Sequence, residues 1–248
     1  MKGFTFISKL VPVFFDIRLF VLLTLGFILF TIIGTVSHES GHYLVARIFG
    51  FKSSIHYNYT SSNLEHKEWL FYRLTWIRYR DQIKAGQSFP EKERFDRIVN
   101  EYKKTGIWFT LGGPLQTMLT GTLGLILMIV YRKRYLATER LSLWLWLIIF
   151  LSLFWLRQTA NFITGIGSGL IRGRIRSFGD ESYLSWHFHL PFWSMSAITA
   201  MIGVIILVIV IFRFIPIKQR LTFITAGIVG GVSGFIFWLV LFGKMIMP

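Results

Sequence analysis

The sequence predicts an all-α polytopic membrane protein with about five transmembrane helices. Its 248 residues are 53% hydrophobic and 17% aromatic, which is more apolar than an ordinary soluble domain. Long uncharged runs alternate with short clusters of Lys and Arg, the pattern expected of membrane spans and their flanks. We expect one membrane-embedded domain that covers 1–248.

The net charge of +15 indicates a negatively charged binding partner, either anionic lipid or nucleic acid. Its basic residues form short clusters beside apolar runs instead of one continuous stripe, so we expect contact with anionic lipid headgroups and no nucleic-acid partner. The chain has no cysteine, which excludes disulfides, iron–sulfur clusters and thiolate metal ligands. Any zinc ion must therefore be held by His, Asp or Glu.

Five apolar stretches account for the predicted membrane helices. An interfacial segment over 1–18 precedes them, and a surface loop over 51–105 follows the first. The predicted spans cover about 19–49, 106–130, 141–164, 191–212 and 221–242.

The surface loop carries two weaker patterns. Residues 55–60 alternate apolar and polar side chains, as a half-buried strand does, and 72–79 is a second strand candidate; an aromatic-rich interfacial loop is the alternative. Further on, 88–91 has the composition of a capping box, and apolar residues follow it at helical spacing. These features predict a hairpin or interfacial loop, followed by an amphipathic helix.

The motif His38-Glu39-Ser40-Gly41-His42 lies near the C-terminal end of the first predicted span. Residues four apart share one face of a helix, so His38 and His42 can bind the same metal ion, with Glu39 beside it as general base. A structural polar cluster is the alternative. Ionisable groups at membrane depth cost roughly 3 kcal/mol or more, which favours a functional site.

Two later spans carry candidate substrate-binding residues. Gly113 and Pro114 predict a loosened or kinked second span beside the metal, although close packing alone also explains the glycine. Arg157 and Asn161 share one face of the third span, where a helix end that reaches into water is the alternative. Gly41, like Gly34 seven residues before it, predicts the close approach of another helix.

The motif at 38–42, inside the first long membrane helix, resembles that of the site-2 protease family of intramembrane zinc metalloproteases. Leu111-Gly112-Gly113-Pro114-Leu115 is similar to a Gly-Pro element in a later helix of that family. The resemblance covers roughly 30–120 and continues more weakly to about 190. It implies a zinc endopeptidase that cleaves transmembrane proteins near the bilayer surface, and it favours a membrane-associated β-hairpin in the loop.

The resemblance also implies an aspartate as third zinc ligand. Asp180, in Phe178-Gly179-Asp180-Glu181, lies in the only stretch after Gly113 that carries an aspartate, although it lacks the family's flanking Leu and Gly. A helix N-cap is the alternative role for Asp180, and His187 and His189 are rival ligands. Asn161 lacks the proline that often follows the corresponding asparagine in the family.

One alternative to this prediction stays within the zinc proteases, and the other is a different class of protein. A zinc protease of another type would use Glu65 as third ligand, and an inactive membrane scaffold or metal transporter would keep the metal site without the reaction. The prediction assigns Zn²⁺ as cofactor. Its metal ligands are His38, His42 and Asp180, its catalytic residue is Glu39, and its substrate-binding residues are Arg157, Asn161, Gly113, Pro114 and Tyr57.

The distribution of basic residues predicts the orientation in the membrane. Loops 51–105 and 165–190 hold fourteen Lys and Arg, against ten in the segments on the other side. Because basic loops favour the cytoplasm, we expect the N-terminus outside and the active site toward the cytoplasm. The expected location is the bacterial inner (plasma) membrane, with the lipid bilayer and a transmembrane protein or peptide substrate as partners.

Overall fold

The computed structural model describes residues 11–12, 14–63, 66–175 and 177–248. Within these residues, five helical segments are long and apolar enough to cross a membrane, which confirms the predicted number. Most of the predicted interfacial segment 1–18 lies outside the described residues. The five segments are Ile17–Ile48, Lys92–Val130, Leu143–Arg172, Ser194–Phe214 and Ile217–Ile246.

The first span is a single helix, α1 (Ile17–Ile48), that carries the histidine motif near its C-terminal end. It begins after Asp16, whose Oδ1 accepts a hydrogen bond from the backbone N–H of Leu19 at 3.1 Å, the usual action of an N-cap side chain. At 1.5 Å per residue the helix is about 48 Å long, more than the roughly 30 Å hydrocarbon layer. The motif begins about 32 Å from the start of the helix, a distance close to that thickness.

A two-stranded antiparallel sheet follows α1 and confirms the predicted hairpin. Strand β1 (Lys52–Ile55) pairs with β2 (Thr60–Asn63), with Ile55 opposite Thr60. The predicted strand over 55–60 is wrong in its bounds, since residues 56–59 form the turn. The backbone N–H of His56 closes that turn by donating to the carbonyl of Tyr59 at 2.9 Å.

The predicted second strand over 72–79 is wrong, because these residues lie almost entirely in helix α2 (His66–Arg78). Contacts distant in sequence favour the helix: Tyr72 stacks on Phe95 with ring centroids 5.3 Å apart, and the Arg94 guanidinium lies 4.1 Å above the ring of Phe71. Aromatic residues favour strands only weakly, and packing overrides that preference here.

The second span and the predicted amphipathic helix form one helix. After α3 (Arg80–Lys84), helix α4 (Lys92–Val130) runs without interruption for 39 residues. It starts after Glu91, which has φ +69° and caps no backbone N–H, so the predicted capping box is not formed. Between Lys92 and Pro114 the helix contains no proline that would end it.

The remaining elements complete the bundle. The third span joins a short helix to a longer one through a 3₁₀ turn, Leu153–Trp155, and continues to Arg172, beyond the predicted end at 164. The fourth span finishes in a π-helical segment, Val210–Phe214, and the fifth contains one, Ile236–Phe242, before its last short helix. The helices are α5 (Arg132–Ala137), α6 (Leu143–Ser152), α7 (Leu156–Arg172), α8 (Asp180–His187), α9 (Ser194–Ile209), α10 (Arg220–Phe235) and α11 (Gly243–Ile246).

Helix α1 packs between α4 and α10, so the motif faces the inside of the bundle. A buried apolar core joins these helices to α6; in it Trp146 stacks on Phe223 with ring centroids 5.7 Å apart. Nearer the motif, a Cβ on Gly41 would lie 2.2 Å from the carbonyl oxygen of Gly112. The two helices cross there with their backbones in contact, as Gly41 predicts. The same prediction for Gly34 is wrong, because a Cβ at Gly34 would meet nothing within 4 Å.

The turn of the hairpin is attached to the last span. The indole N–H of Trp238 donates to the carbonyl of Tyr57 at 2.8 Å, and the backbone N–H of Tyr57 donates to the carbonyl of Met247 at 3.0 Å. The ring of Tyr57 also lies against Gly243. The hairpin is therefore fixed at two places, to α1 through β1 and to the last helices through its turn.

Candidate metal centre

Three potential ligand atoms converge on one side of α1. His38 and His42 come from successive turns of that helix, and Asp180 is the first residue of α8. Oδ2 of Asp180 lies 2.9 Å from Nε2 of His38 and 3.3 Å from Nε2 of His42, and the two Nε2 atoms are 3.2 Å apart. This triangle is the group in the described residues that could hold a metal ion.

The separations between the three atoms match those of a tetrahedral site. With metal–ligand bonds of about 2.0 to 2.2 Å, neighbouring ligand atoms in a tetrahedral zinc site lie about 3.3 to 3.5 Å apart. The observed distances of 2.9, 3.2 and 3.3 Å are slightly shorter, so a small outward movement admits the ion. The donor set, two imidazoles and a carboxylate, is common at catalytic zinc sites.

One histidine is fixed in orientation by the second span. Nδ1 of His42 donates to the backbone carbonyl of Phe109 at 2.6 Å, and the two rings lie 5.1 Å apart. A proton on Nδ1 leaves Nε2 free to bind a metal, which is the usual arrangement for a ligating histidine. Nδ1 of His38 has no hydrogen-bond partner within the described parts of the chain.

Gly113 leaves room for both imidazoles. A Cβ at this position would lie 2.3 Å from Nε2 of His42 and 2.4 Å from Nε2 of His38, so any larger residue would displace the potential ligand atoms. Pro114 is buried next to it, and α4 stays helical through both residues. Thr117 donates to the carbonyl of Pro114 at 2.9 Å. The predicted Gly-Pro element thus lies at the metal group.

Glu39 lies beside this group and is almost completely buried. Its Oε2 is 3.1 Å from the hydroxyl of Thr60 in β2, and its Oε1 is 3.7 Å from Nη2 of Arg157 in α7. Arg157 also donates to the hydroxyl of Thr35, one turn before Glu39, at 3.3 Å. Two elements distant in sequence therefore engage the two carboxylate oxygens.

The environment of Asp180 favours an ionised ligand. Burial alone would raise the pKa of Asp180, but hydrogen bonds with His38 and His42 outweigh burial and hold that pKa well below its usual range. Burial raises the pKa of the neighbouring Glu181 to about 7, against the effects of Arg157 and Asn161. Asp180 is thus the residue of this acidic pair that is ready to bind a cation.

The structure also bears on the alternative role of Asp180 as an N-cap and on its rival ligands. The N-cap of α8 is Gly179, whose φ of +87° suits glycine, so Asp180 belongs to the first turn and is not the cap. His187 ends α8 and His189 follows it, and neither belongs to the metal group. Glu65, the ligand of the alternative protease type, lies outside the described residues.

The predicted substrate-binding residues fall into different places. Arg157 and Asn161 line an apolar cavity of about 320 Å³, together with Gly34 and Thr35 of α1. Tyr57 lies in the hairpin turn and packs on the last span, and its assignment to the substrate site stays a prediction. Thr60, three residues later, is the hairpin residue that reaches Glu39.

Sequence reasoning missed Thr60, Thr35 and the carbonyl of Phe109. Thr35 carries a usable signal, because it precedes Glu39 by four residues and so shares its helix face. Thr60 and Phe109 carry none, since their contacts depend on how the hairpin and α4 pack on α1. Comparison with known proteins adds no relative: no family model, no curated protein and no solved structure matches this chain.

Proposed function

We propose that the protein is an intramembrane zinc endopeptidase that cleaves membrane-protein substrates near the bilayer surface. The observation that supports this most directly is the convergence of His38, His42 and Asp180 on one point, with buried Glu39 beside it. Burying two imidazoles and the Glu39 carboxylate among apolar helices is costly, which favours a functional role for the cluster. The proposed activity is that of the site-2 protease family, which the two glycine-containing motifs resemble.

Each residue of the group has a defined role in this proposal. His38, His42 and Asp180 would hold the zinc ion, which when bound acidifies a water molecule and polarises the scissile carbonyl. Glu39 accepts the proton of the attacking water and returns it to the leaving nitrogen. Arg157 places a positive charge next to the buried Glu39 carboxylate.

The position of Glu39 along α1 indicates where cleavage takes place. Glu39 lies about 33 Å from the start of the helix at 1.5 Å per residue, close to the far side of a hydrocarbon layer about 30 Å thick. Water and a locally unwound substrate can both reach this level. With the basic loops in the cytoplasm, the active site faces the cytoplasmic side of a bacterial inner membrane.

Substrates must present an extended segment to such a site. The peptide groups of a membrane helix are hydrogen-bonded to one another, so the scissile bond becomes accessible only where the helix is broken. The hairpin β1–β2 lies against α1 next to Glu39 and offers strand edges with which an extended peptide can pair. We therefore infer that the preferred substrate is a transmembrane segment with a helix-breaking residue near the cytoplasmic face.

Cleavage of a designed peptide tests the proposal. The probe is a single-span peptide with a Gly-Pro break near its cytoplasmic end and a fluorophore and quencher on either side, incorporated in lipid nanodiscs with the purified protein. We expect zinc bound at one equivalent, cleavage that stops on chelation and returns with added zinc, and loss of cleavage in Glu39→Gln with zinc retained.

Two results would contradict the proposal. Equal cleavage by the wild type and Glu39→Gln would show that the activity does not use this carboxylate. A wild type that binds zinc but cleaves none of a set of such peptides, with breaks at successive depths, would indicate an inactive scaffold or a metal transporter.

A further inference from the structure

Thr60 makes two contacts with the same residue of the neighbouring helix. Its hydroxyl lies 2.8 Å from the backbone carbonyl of Glu39 and 3.1 Å from Oε2 of the Glu39 side chain. A hydroxyl has one proton, so the two oxygens of Glu39 share it. Thr60 therefore fixes the Glu39 carboxylate relative to its own helix backbone.

The other carboxylate oxygen faces a different element. Oε1 of Glu39 lies 3.7 Å from Nη2 of Arg157, which belongs to α7 and not to the hairpin. A carboxylate held at both oxygens has little rotational freedom about its last bond, whereas an ion pair at 3.7 Å alone leaves the direction loosely defined. The short contact with Thr60 is the one that sets the orientation.

The location of Thr60 links this orientation to the hairpin. Thr60 is the first residue of β2 and pairs with Ile55 across the sheet. The turn before it is held to the last span through Tyr57, Trp238 and Met247. A shift of the hairpin relative to α1 would lengthen both contacts between Thr60 and Glu39.

We propose that Thr60 is a positioning residue for Glu39, and that the hairpin thereby controls the direction in which this carboxylate accepts a proton. This inference rests on the proposed peptidase function. A peptide that pairs with the hairpin and stabilises its position on α1 also stabilises the oriented carboxylate. Substrate binding and the readiness of the general base are then coupled through one hydroxyl.

Three substitutions separate this role from a merely structural one. Thr60→Val keeps the shape of the side chain and removes the hydroxyl, Thr60→Ser restores the hydroxyl, and Ser61→Ala removes a hydroxyl one residue away that faces Ser54 and His56 instead of Glu39. All three are assayed as full-length zinc-loaded protein with the same transmembrane peptide, with zinc content and thermal unfolding measured in parallel.

We expect Thr60→Val to lower kcat by roughly tenfold or more, the size of a hydrogen bond to a charged group, with KM within about twofold and zinc content unchanged. Thr60→Ser and Ser61→Ala should keep kcat within about twofold of the wild type. The effects on kcat and KM are measured separately, because loss of the Thr60 hydroxyl would change KM if the hairpin only bound substrate.

Three outcomes would overturn the inference. Full kcat in Thr60→Val would show that the contact does not orient the base. Equal loss in Thr60→Val and Thr60→Ser, or loss of zinc in Thr60→Val, would indicate a packing role. If the wild type cleaves but the Thr60 variants do not show the expected changes in kcat, only the positioning role is refuted and the peptidase proposal survives. If the zinc-loaded wild type cleaves nothing, both proposals are refuted.

Discussion

Nη2 of Arg157 lies 3.7 Å from Oε1 of Glu39, and these two charges come from the third and the first membrane span. Removing one charge leaves the other buried without its partner. We expect Arg157→Met to destabilise the protein by about 1 to 3 kcal/mol, less than the roughly 3 to 5 kcal/mol of a fully buried pair because the Arg157 side chain is 22% exposed. Thermal unfolding in detergent measures this.

The double substitution Glu39→Gln with Arg157→Met provides the control for that prediction. With both charges absent, no unpaired carboxylate remains, so the double variant should be more stable than Arg157→Met alone. If the two single changes simply add in the double variant, the residues are not coupled.

Gly113 is predicted to be essential for metal binding and not for folding. Ala normally stabilises a helix interior by about 1 kcal/mol relative to Gly, but a Cβ at 113 would lie within 2.4 Å of both Nε2 atoms. We expect Gly113→Ala to weaken zinc binding at least tenfold while the protein remains folded. Gly34→Ala is the matched control, since a Cβ there meets nothing within 4 Å and zinc binding should be unchanged. Similar zinc affinities in the two variants would place the metal elsewhere.

The third metal ligand is tested by three alanine variants measured side by side. Asp180→Ala should lose stoichiometric zinc and all cleavage, because two histidines alone leave the ion under-coordinated. His187→Ala and His189→Ala should keep both, since neither residue joins the metal group. Zinc is measured by elemental analysis of the purified proteins. Full zinc content and full cleavage in Asp180→Ala would contradict this assignment. If one histidine variant then lost both zinc and cleavage, that histidine would be the third ligand instead.

The orientation in the membrane is tested by single cysteines, which this cysteine-free chain permits. Ala85, in the turn after α3, and Lys133, in the short helix α5, are both exposed and flank the second span at opposite ends. With the N-terminus outside, an impermeant thiol reagent should label Lys133→Cys in intact cells and Ala85→Cys only after permeabilisation. The reverse pattern would move the active site to the external face.

The features that sequence predicts well here are those fixed by local geometry. The i, i+4 spacing places His38 and His42 on one helix face whatever the rest of the fold does. Apolar run length predicts the number of spans, since each must cross a hydrocarbon layer of fixed thickness. Local geometry does not predict Asp180 as a ligand, because Asp180 lies 138 residues after His42 in the chain. Only the resemblance to the protease family implies it.

The features that sequence did not predict depend on contacts between distant segments. The alternating residues of 55–60 predict a strand, yet the turn falls there, because turn position is decided by how β1 and β2 pair and by the attachment of Tyr57 to Trp238. The aromatic residues of α2 predict a strand by propensity alone, and packing on α4 makes them helical. Thr60 has no local signal, since its partner Glu39 is 21 residues away.

The separation of the three metal-binding residues along the chain has a consequence for biosynthesis. His38 and His42 are in the first span, whereas Asp180 follows the third. A chain that is still being made therefore carries only two of the three ligands until its third helix has been inserted. The proposed peptidase would therefore be inactive until its third helix has been made, because its metal site lacks the Asp180 carboxylate until then.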